Sequence, residues 1–217
     1  MLAAISNAVP YFYYLRNLIL ERWKSGLIFP ISKFNFRSIY TKIYKDGFRS
    51  LYYLFRVMAK KIEKTNAARL LDKAGIAYSL IPYEFDENDL AAQHVAESLG
   101  QDIAKVFKTL VLHGDKSGYI VCVIPGDKEV DLKALAKVSG NKKVEMIPMK
   151  DLLQVTGYIR GGCSPIGMKK RFPTYFHSTA IDHDRIYVSA GVRGLQIEIS
   201  PEDLIDFVSA TVADVAS

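Results

Sequence analysis

Cysteine is scarce in this chain, with only Cys122 and Cys163 among 217 residues, no C-x-x-C pair and no regular spacing. That excludes a disulfide scaffold, supplies no zinc site and fits a reducing, cytoplasmic setting. Long apolar runs are missing too. Stretches such as Ala8 to Leu15 stop well short of the roughly 18 apolar residues that a membrane span requires. The order of basic, apolar and small residues that marks a secretory signal is absent. His94, His113, His177 and His183 are the only histidines, and no spacing rule sets one beside a cysteine or serine with an orienting acid. Asp182-His183-Asp184 is a single acidic turn without a second ligand cluster, so no metal or organic cofactor is expected. G-x-S-x-G, G-x-G-x-x-G and Gly-Lys-Ser/Thr do not occur, which removes nucleophile-elbow and phosphate-loop chemistry.

What is present is unevenly distributed. Residues 1–57 carry 9 Lys and Arg against 2 Asp and Glu, and 14 of the 25 aromatic residues; residues 58–217 carry 20 against 21. Two stretches so different in composition are expected not to share a core. Residues 1–57 read as a basic, aromatic-rich extension. Leu15 to Trp23 and Phe48 to Arg56 have the pattern of basic amphipathic helices that lie on anionic lipid. The same composition is that of AT-rich non-coding sequence translated in frame, which predicts a true start at Met58 and a domain over residues 58–217.

Within that domain helix and strand signals alternate. Thr65 is placed to cap a helix with Ala68, Leu71 and Ala74 inward and Gly75 at its end. Strands are expected over residues 76–83, 106–112, 119–124, 143–146, 174–177, 185–188 and 195–199. Further helices should open at Asn88 or Asp89 (Leu90, Ala91, Val95 and Leu99 inward), at Asp131, near Pro148 and at Ser200-Pro201. With no repeating βαβ period, this order predicts a single mixed α/β domain in which helices pack outside a partly closed sheet.

Two stretches carry candidate chemistry. In Gly161-Gly162-Cys163-Ser164-Pro165 the paired glycines permit positive φ and close approach to backbone N–H groups, while Pro165 stiffens the loop. The segment is either a tight turn or a main-chain binding site. In the strand from Val106 to Leu112, alternation puts Lys108 on a face with Leu110 and Leu112, opposite Phe107, Thr109 and Val111. Such a lysine either reaches water at a sheet edge or lines a polar cavity.

Taken together, Phe107-Lys108-Thr109-Leu110, the glycine loop, Lys169-Lys170-Arg171 and the run Tyr187-Val188-Ser189-Ala190-Gly191-Val192-Arg193-Gly194-Leu195 resemble, in order and spacing, the YbaK family of aminoacyl-tRNA deacylases. These are relatives of the editing insertion domain of bacterial prolyl-tRNA synthetase. The resemblance covers about Met58 to the C-terminus and implies a mostly antiparallel, barrel-like sheet. It also implies catalytic roles for Lys108, Gly161 and Gly162, and substrate contacts from Tyr83, Thr109, Cys163, Ser164, Pro165 and Ser189. On residue type alone, Tyr83 is equally a half-buried aromatic and Ser189 a turn serine bonding its own backbone. Relatives carry Asp or Ser where this chain has Gln196, a departure that argues against a carboxylate-assisted step.

The implied reaction is deacylation of Cys-tRNA(Pro), and by extension Cys-tRNA(Cys), with the substrate's own thiol as nucleophile. A pocket that admits cysteine rejects alanine poorly by fit, because a methylene-sized difference is worth about 1–3 kcal/mol, whereas requiring a thiol rejects it chemically. Lys169, Lys170 and Arg171 are candidate tRNA contacts or a solvated charge run. A domain near neutrality should bind tRNA weakly alone, so prolyl-tRNA synthetase is the expected partner. The rival readings are an Ala-tRNA(Pro) deacylase, a non-catalytic module binding synthetase or tRNA, and a membrane-surface protein anchored by residues 1–57.

Overall fold

The computed structural model describes residues 63–86 and 91–217. The chain divides into two units, Met1–Ile62 and Glu63–Ser217, and all described residues belong to the second. Expectations for residues 1–57, and for a helix opening at Asn88 or Asp89, lie outside the described residues. Among the described residues no helix is long and apolar enough to cross a membrane.

Helix α1 (Asn66–Ala74) begins where the Thr65 hydroxyl accepts a hydrogen bond from the Ala68 N–H, and ends at Gly75 in the left-handed region. Its buried residues are Ala67, Ala68 and Leu71; Ala74, expected inward, falls in the last turn and is exposed. Helix α2 (Ala92–Leu99) buries Val95, Ala96 and Leu99, and Ala91 stands outside it as an exposed, extended cap residue. Helix α3 (Leu132–Val138) is capped by the Asp131 carboxylate, which accepts from Lys133 and Ala134 N–H at 2.9 and 3.0 Å. Pro148 leads into a single 3-10 turn, Met149–Asp151, that runs on into the short α4 (Leu152–Thr156). Ser200 caps α5 (Pro201–Val208), with Pro201 in the first turn where its missing N–H costs nothing.

The strands are β1 (Tyr78–Pro82), β2 (Phe107–Gly114), β3 (Gly118–Pro125), β4 (Val144–Met146), β5 (Thr174–His177), β6 (Ile186–Ser189), β7 (Leu195–Ile199) and β8 (Thr211–Ala213). Most lie within two residues of the expected positions, and β8 was not anticipated. They form two sheets of order β1-β7-β6 and β4-β2-β3-β5-β8, so the mixed, mostly antiparallel architecture is present without a closed barrel. Pairing is antiparallel except at β3–β5 and β5–β8. The centre of β3, Ile120 to Ile124, is buried throughout because both of its faces are covered. Leu112, Ile120, Cys122, Ile124, Leu135, Val144 and Val215 pack together in a core cluster on one of those faces.

The feature that positions the site is the outer edge of β2. The two sheets touch through a parallel bridge between Val106 and Tyr187, so β6 begins alongside β2. Farther on, β4 takes over that edge, pairing only with Leu112 to Gly114, with the Ile147 N–H donating to the Val111 carbonyl. Thr109 lies between these two attachments, with no strand paired to its edge. The cleft opens there.

Candidate active site

A cleft of about 730 Å³ follows the gap in the β2 edge. Six of the residues expected at the site line it: Tyr83, Lys108, Thr109, Gly161, Cys163 and Ser189. They come from four separate segments of chain. The hairpin β2–β3, the bridge to β6 and the closing loop after α4 bring them together.

Lys108 is paired to Ile124 across the hairpin, and the turn after Pro125 therefore passes over its side chain. Its Nζ donates to the Gly126 carbonyl at 3.2 Å and to Glu129 Oε1 at 3.0 Å. An ammonium has three N–H donors, so one is left for a bound group. The lysine side chain is 25% exposed and its glutamate partner 82% exposed, which makes this a half-wet ion pair rather than a sealed one. Gly126 cannot carry a side chain here, since a Cβ would stand 2.6 Å from that of Ala92 and 3.0 Å from the Val106 carbonyl. Neither Gly126 nor Glu129 was foreseen from sequence. The hairpin register, read past Pro125, is the signal that would have found them.

The glycine loop divides its labour differently from the expectation. Gly161 has φ +79° and lines the cleft, and its N–H has no protein acceptor among the described residues. Gly162 does not line the cleft, and its N–H is committed to the Ile159 carbonyl at 3.0 Å. It is small for another reason: its missing Cβ would lie 3.3 Å from the backbone of Val192 and Arg193. Gly162 thus lets two loops close together.

Ser164 and Pro165, expected at the substrate, are buried beneath the loop and outside the cleft lining. The Ser164 hydroxyl accepts the Ile166 N–H at 3.3 Å, a turn-forming bond. Below them Tyr158 is almost wholly buried and donates its hydroxyl proton to the Ile166 carbonyl at 2.5 Å. Burial pushes that phenol up to about 12. Ser189 is also used locally, accepting the Gly191 N–H at 3.2 Å, although it borders the cleft.

Of the three cations after the loop, none lines the cleft. Lys169 donates to the Leu153 and Gln154 carbonyls at 3.2 and 3.3 Å and so caps the C-terminal end of α4. Lys170 and Arg171 are exposed. Arg160 was not foreseen, and it does border the cleft. Gln196, level with Ser189 in the β6–β7 pairing, is 5% exposed, lines the cleft and has its Oε1 buried without a partner. Thr109 Oγ1 is in the same condition. Buried oxygens left unpaired cost about 1–3 kcal/mol each, which a bound polar group would recover.

Cys163 is the one thiol at the cleft, and burial pushes it up to about 12. A thiol so far above its usual range is uncharged at neutrality and a poor nucleophile. Cys163→Ala is therefore expected to retain activity within about threefold, with no rate inflection lost between pH 6 and 9, and a measured pH–rate profile of the variant checks this.

An ammonium with a spare donor, a loop amide without an acceptor among the described residues and orphaned acceptors, set on a mixed α/β scaffold, have the chemistry to hold a small polar acyl group and polarise its carbonyl. A model of the aminoacyl-tRNA editing domain matches residues 86–207, over half of the chain, and the chain belongs to that family. It is 51% identical over 162 residues to an Enterococcus faecalis protein named "Putative Cys-tRNA(Pro)/Cys-tRNA(Cys) deacylase EbsC", covering 74% of this chain and 99% of that protein. It is 29% identical over 86 residues to the proline–tRNA ligase of Thermosipho africanus, which is 40% of this chain and 15% of the ligase. The fold matches, at a TM-score of 0.63 and 20% identity, a crystal structure described as that of "a putative trans-editing enzyme for prolyl tRNA synthetase", over 71% of this chain and 99% of that one.

Proposed function

We propose that this protein deacylates cysteine-charged tRNA, chiefly Cys-tRNA(Pro), with the substrate's thiol as the attacking group. The observation that carries this is a cleft equipped to hold an ester whose own thiol, Cys163, is held uncharged, while the nearby Ser164 hydroxyl is buried in a turn. An aminoacyl ester is already activated, so positioning and charge stabilisation suffice to cleave it.

In the proposed step the substrate Sγ bonds to the ester carbonyl carbon, the bond from that carbon to the terminal ribose oxygen breaks, and the thiol proton passes to the departing oxygen. The resulting cyclic thioester is opened by water to free cysteine. The Gly161 N–H is the donor for the carbonyl oxygen, and the spare Lys108 N–H orients the ester or the departing oxygen. Thr109 Oγ1 and Gln196 Oε1 are acceptors for the substrate ammonium, a role that needs no carboxylate at position 196. With 20 basic against 21 acidic residues beyond position 57, the domain has little general attraction for tRNA. Prolyl-tRNA synthetase is the proposed partner that presents the charged end, and the ligase relative that carries a similar stretch within its own chain supports that pairing.

The test is a panel of Cys-, Ala-, Ser- and 2-aminobutyryl-tRNA(Pro), the last being the cysteine-sized acyl group without sulfur. Only the cysteinyl ester should be cleaved at an appreciable rate. Equal rates for the cysteinyl and aminobutyryl esters would overturn the thiol mechanism, and preference for Ala-tRNA(Pro) would replace the substrate assignment.

A further inference from the structure

Deacylation changes the charge of the group that the cleft holds. The bound ester is uncharged at its carbonyl, whereas the free cysteine that results carries a full negative charge there, with the same ammonium and the same thiol. A lone lysine ammonium would hold that carboxylate more firmly than the ester, because hydrogen bonds to an ionised acceptor are about twice as strong as neutral ones. Lys108 is not alone. Among the described residues lining the cleft, Lys108 and Arg160 are basic and Asp127 and Glu129 acidic, so the lining carries no net charge. Glu129 Oε1 stands 3.0 Å from Lys108 Nζ, and the Glu129 backbone is fixed by residues outside the cleft lining. Its N–H donates to the Ser217 carbonyl at 3.1 Å, the Ser217 N–H returns a bond to the Glu129 carbonyl at 3.0 Å, and the Asp131 N–H donates to the Val215 carbonyl at 2.9 Å. Val215 is fully buried and donates its own N–H to Nδ1 of the buried His177 at 3.3 Å. The core thus anchors the segment that places this carboxylate, although the carboxylate itself is exposed.

We propose that Glu129 is the residue by which the site tells esterified cysteine from free cysteine: its charge, set against Lys108, turns carboxylates away from the third N–H of the ammonium and leaves that donor to the uncharged ester. This deepens the function proposed above and rests on it. Two acceptors about 3 Å from one tetrahedral nitrogen lie about 5 Å apart, so a ligand carboxylate on the third donor would face the Glu129 carboxylate at that distance. The separation is shorter than the Debye length of about 8 Å at physiological salt, and screening therefore leaves part of the repulsion in place. An ester carbonyl has no net charge and escapes it. Glu129 acts through Lys108 and makes no bond to the acyl group itself. The consequence is that released cysteine, and cysteine from any other source, competes poorly with the next charged tRNA.

The Glu129 side chain is 82% exposed, so Glu129→Gln leaves the fold and the backbone bonds of that residue in place. The test compares two ligands, L-cysteine and L-cysteinamide, which share ammonium and thiol and differ in carrying a carboxylate or an uncharged amide. Their Kd values are measured by NMR titration of the full chain at low salt under reducing conditions. The wild type should prefer the amide, and the ratio of Kd for cysteine to Kd for cysteinamide should fall at least about fivefold in Glu129→Gln, the scale of an exposed charge pair. Glu129→Asp, which restores the charge, should keep the ratio within about twofold of wild type, and high salt should narrow the difference between wild type and Glu129→Gln. In deacylation of Cys-tRNA(Pro), free cysteine should inhibit Glu129→Gln at a concentration at least about fivefold lower than it inhibits the wild type. An unchanged ratio overturns the proposal, including the case in which Arg160 takes the carboxylate. So does a Glu129→Asp protein that behaves like Glu129→Gln, or a Glu129→Gln protein that binds cysteine no better than the wild type. A wild type that shows the expected ratio and yet leaves Cys-tRNA(Pro) intact would instead refute the functional reading, with the selection by charge still standing.

Discussion

Lys108→Ala is expected to slow deacylation of Cys-tRNA(Pro) by about 10²–10³-fold, the usual cost of removing one preorganised donor from a developing charge. The loss should appear in kcat, because the ammonium is proposed to act on the reacting ester. Stability should hardly change. The partner left behind, Glu129, is 82% exposed and returns to water, so the pair contributes at most about 1 kcal/mol and the Tm should move by less than about 3 °C. Glu129→Gln keeps an acceptor oxygen beside Nζ and leaves the Gly126 carbonyl in place; it should cost about fivefold or less. Single-turnover deacylation and thermal melts on the three proteins separate these outcomes. If Lys108→Ala retained full kcat, the assignment of the cleft as the reacting site would fall.

The second large effect is expected from a residue that touches no substrate. Gly191 has φ +94°, and an alanine Cβ there would lie 2.8 Å from Tyr158 Cε1. The left-handed backbone costs a non-glycine residue about 1–2 kcal/mol, and forcing the ring aside adds about 1–3 kcal/mol. Gly191→Ala should therefore destabilise the domain by about 2–5 kcal/mol and lower the Tm by about 5–15 °C. Activity should fall as well, even where the protein remains folded. Tyr158 holds the Ile166 carbonyl and with it the loop that carries Gly161 and Cys163, so a displaced ring moves the amide proposed to bind the ester oxygen. Tyr158→Phe is the control: it keeps the ring and loses only the hydroxyl, and should cost about 1–3 kcal/mol through the unpaired carbonyl. A Gly191→Ala protein that melts like wild type would show that the loops adjust freely, and the case for a rigid amide at Gly161 would weaken with it.

Much of the local structure was readable because its causes are local. Thr65, Asp131 and Ser200 cap helices with their own side chains, Gly75 and Gly100 end helices in a left-handed conformation, and β-rich runs between turn formers became strands. The short β8 lacked such a signal: Thr211 to Ala213 is held by parallel pairing to β5, a partner more than thirty residues earlier. How far the partly closed sheet closes was hidden for the same kind of reason, since closure is decided by which edges meet, and here the two sheets are joined by the parallel bridge between Val106 and Tyr187.

The site was legible as a set of residues and not as an arrangement. Sequence placed Tyr83, Lys108, Thr109, Gly161, Cys163 and Ser189 together through the resemblance of their segments, and the cleft gathers them. It did not separate Gly162, Ser164, Pro165 and Lys169, which lie outside the cleft lining, from the residues that line it, because a residue beside a loop's open face and a residue on it look alike along a chain. Only three-dimensional contact shows that Gly162 is pressed against the 191–194 turn, that Ser164 is spent on a turn and that Lys169 caps α4. By itself, then, the sequence determined the helix caps, the strand runs, the split in composition near residue 57 and the chemical types at the site, all of which act over a few residues. The tertiary structure alone decided which edge of β2 stays open, which amide remains free and which carboxylate reaches Lys108, because each depends on segments far apart in the chain competing for the same hydrogen-bonding groups.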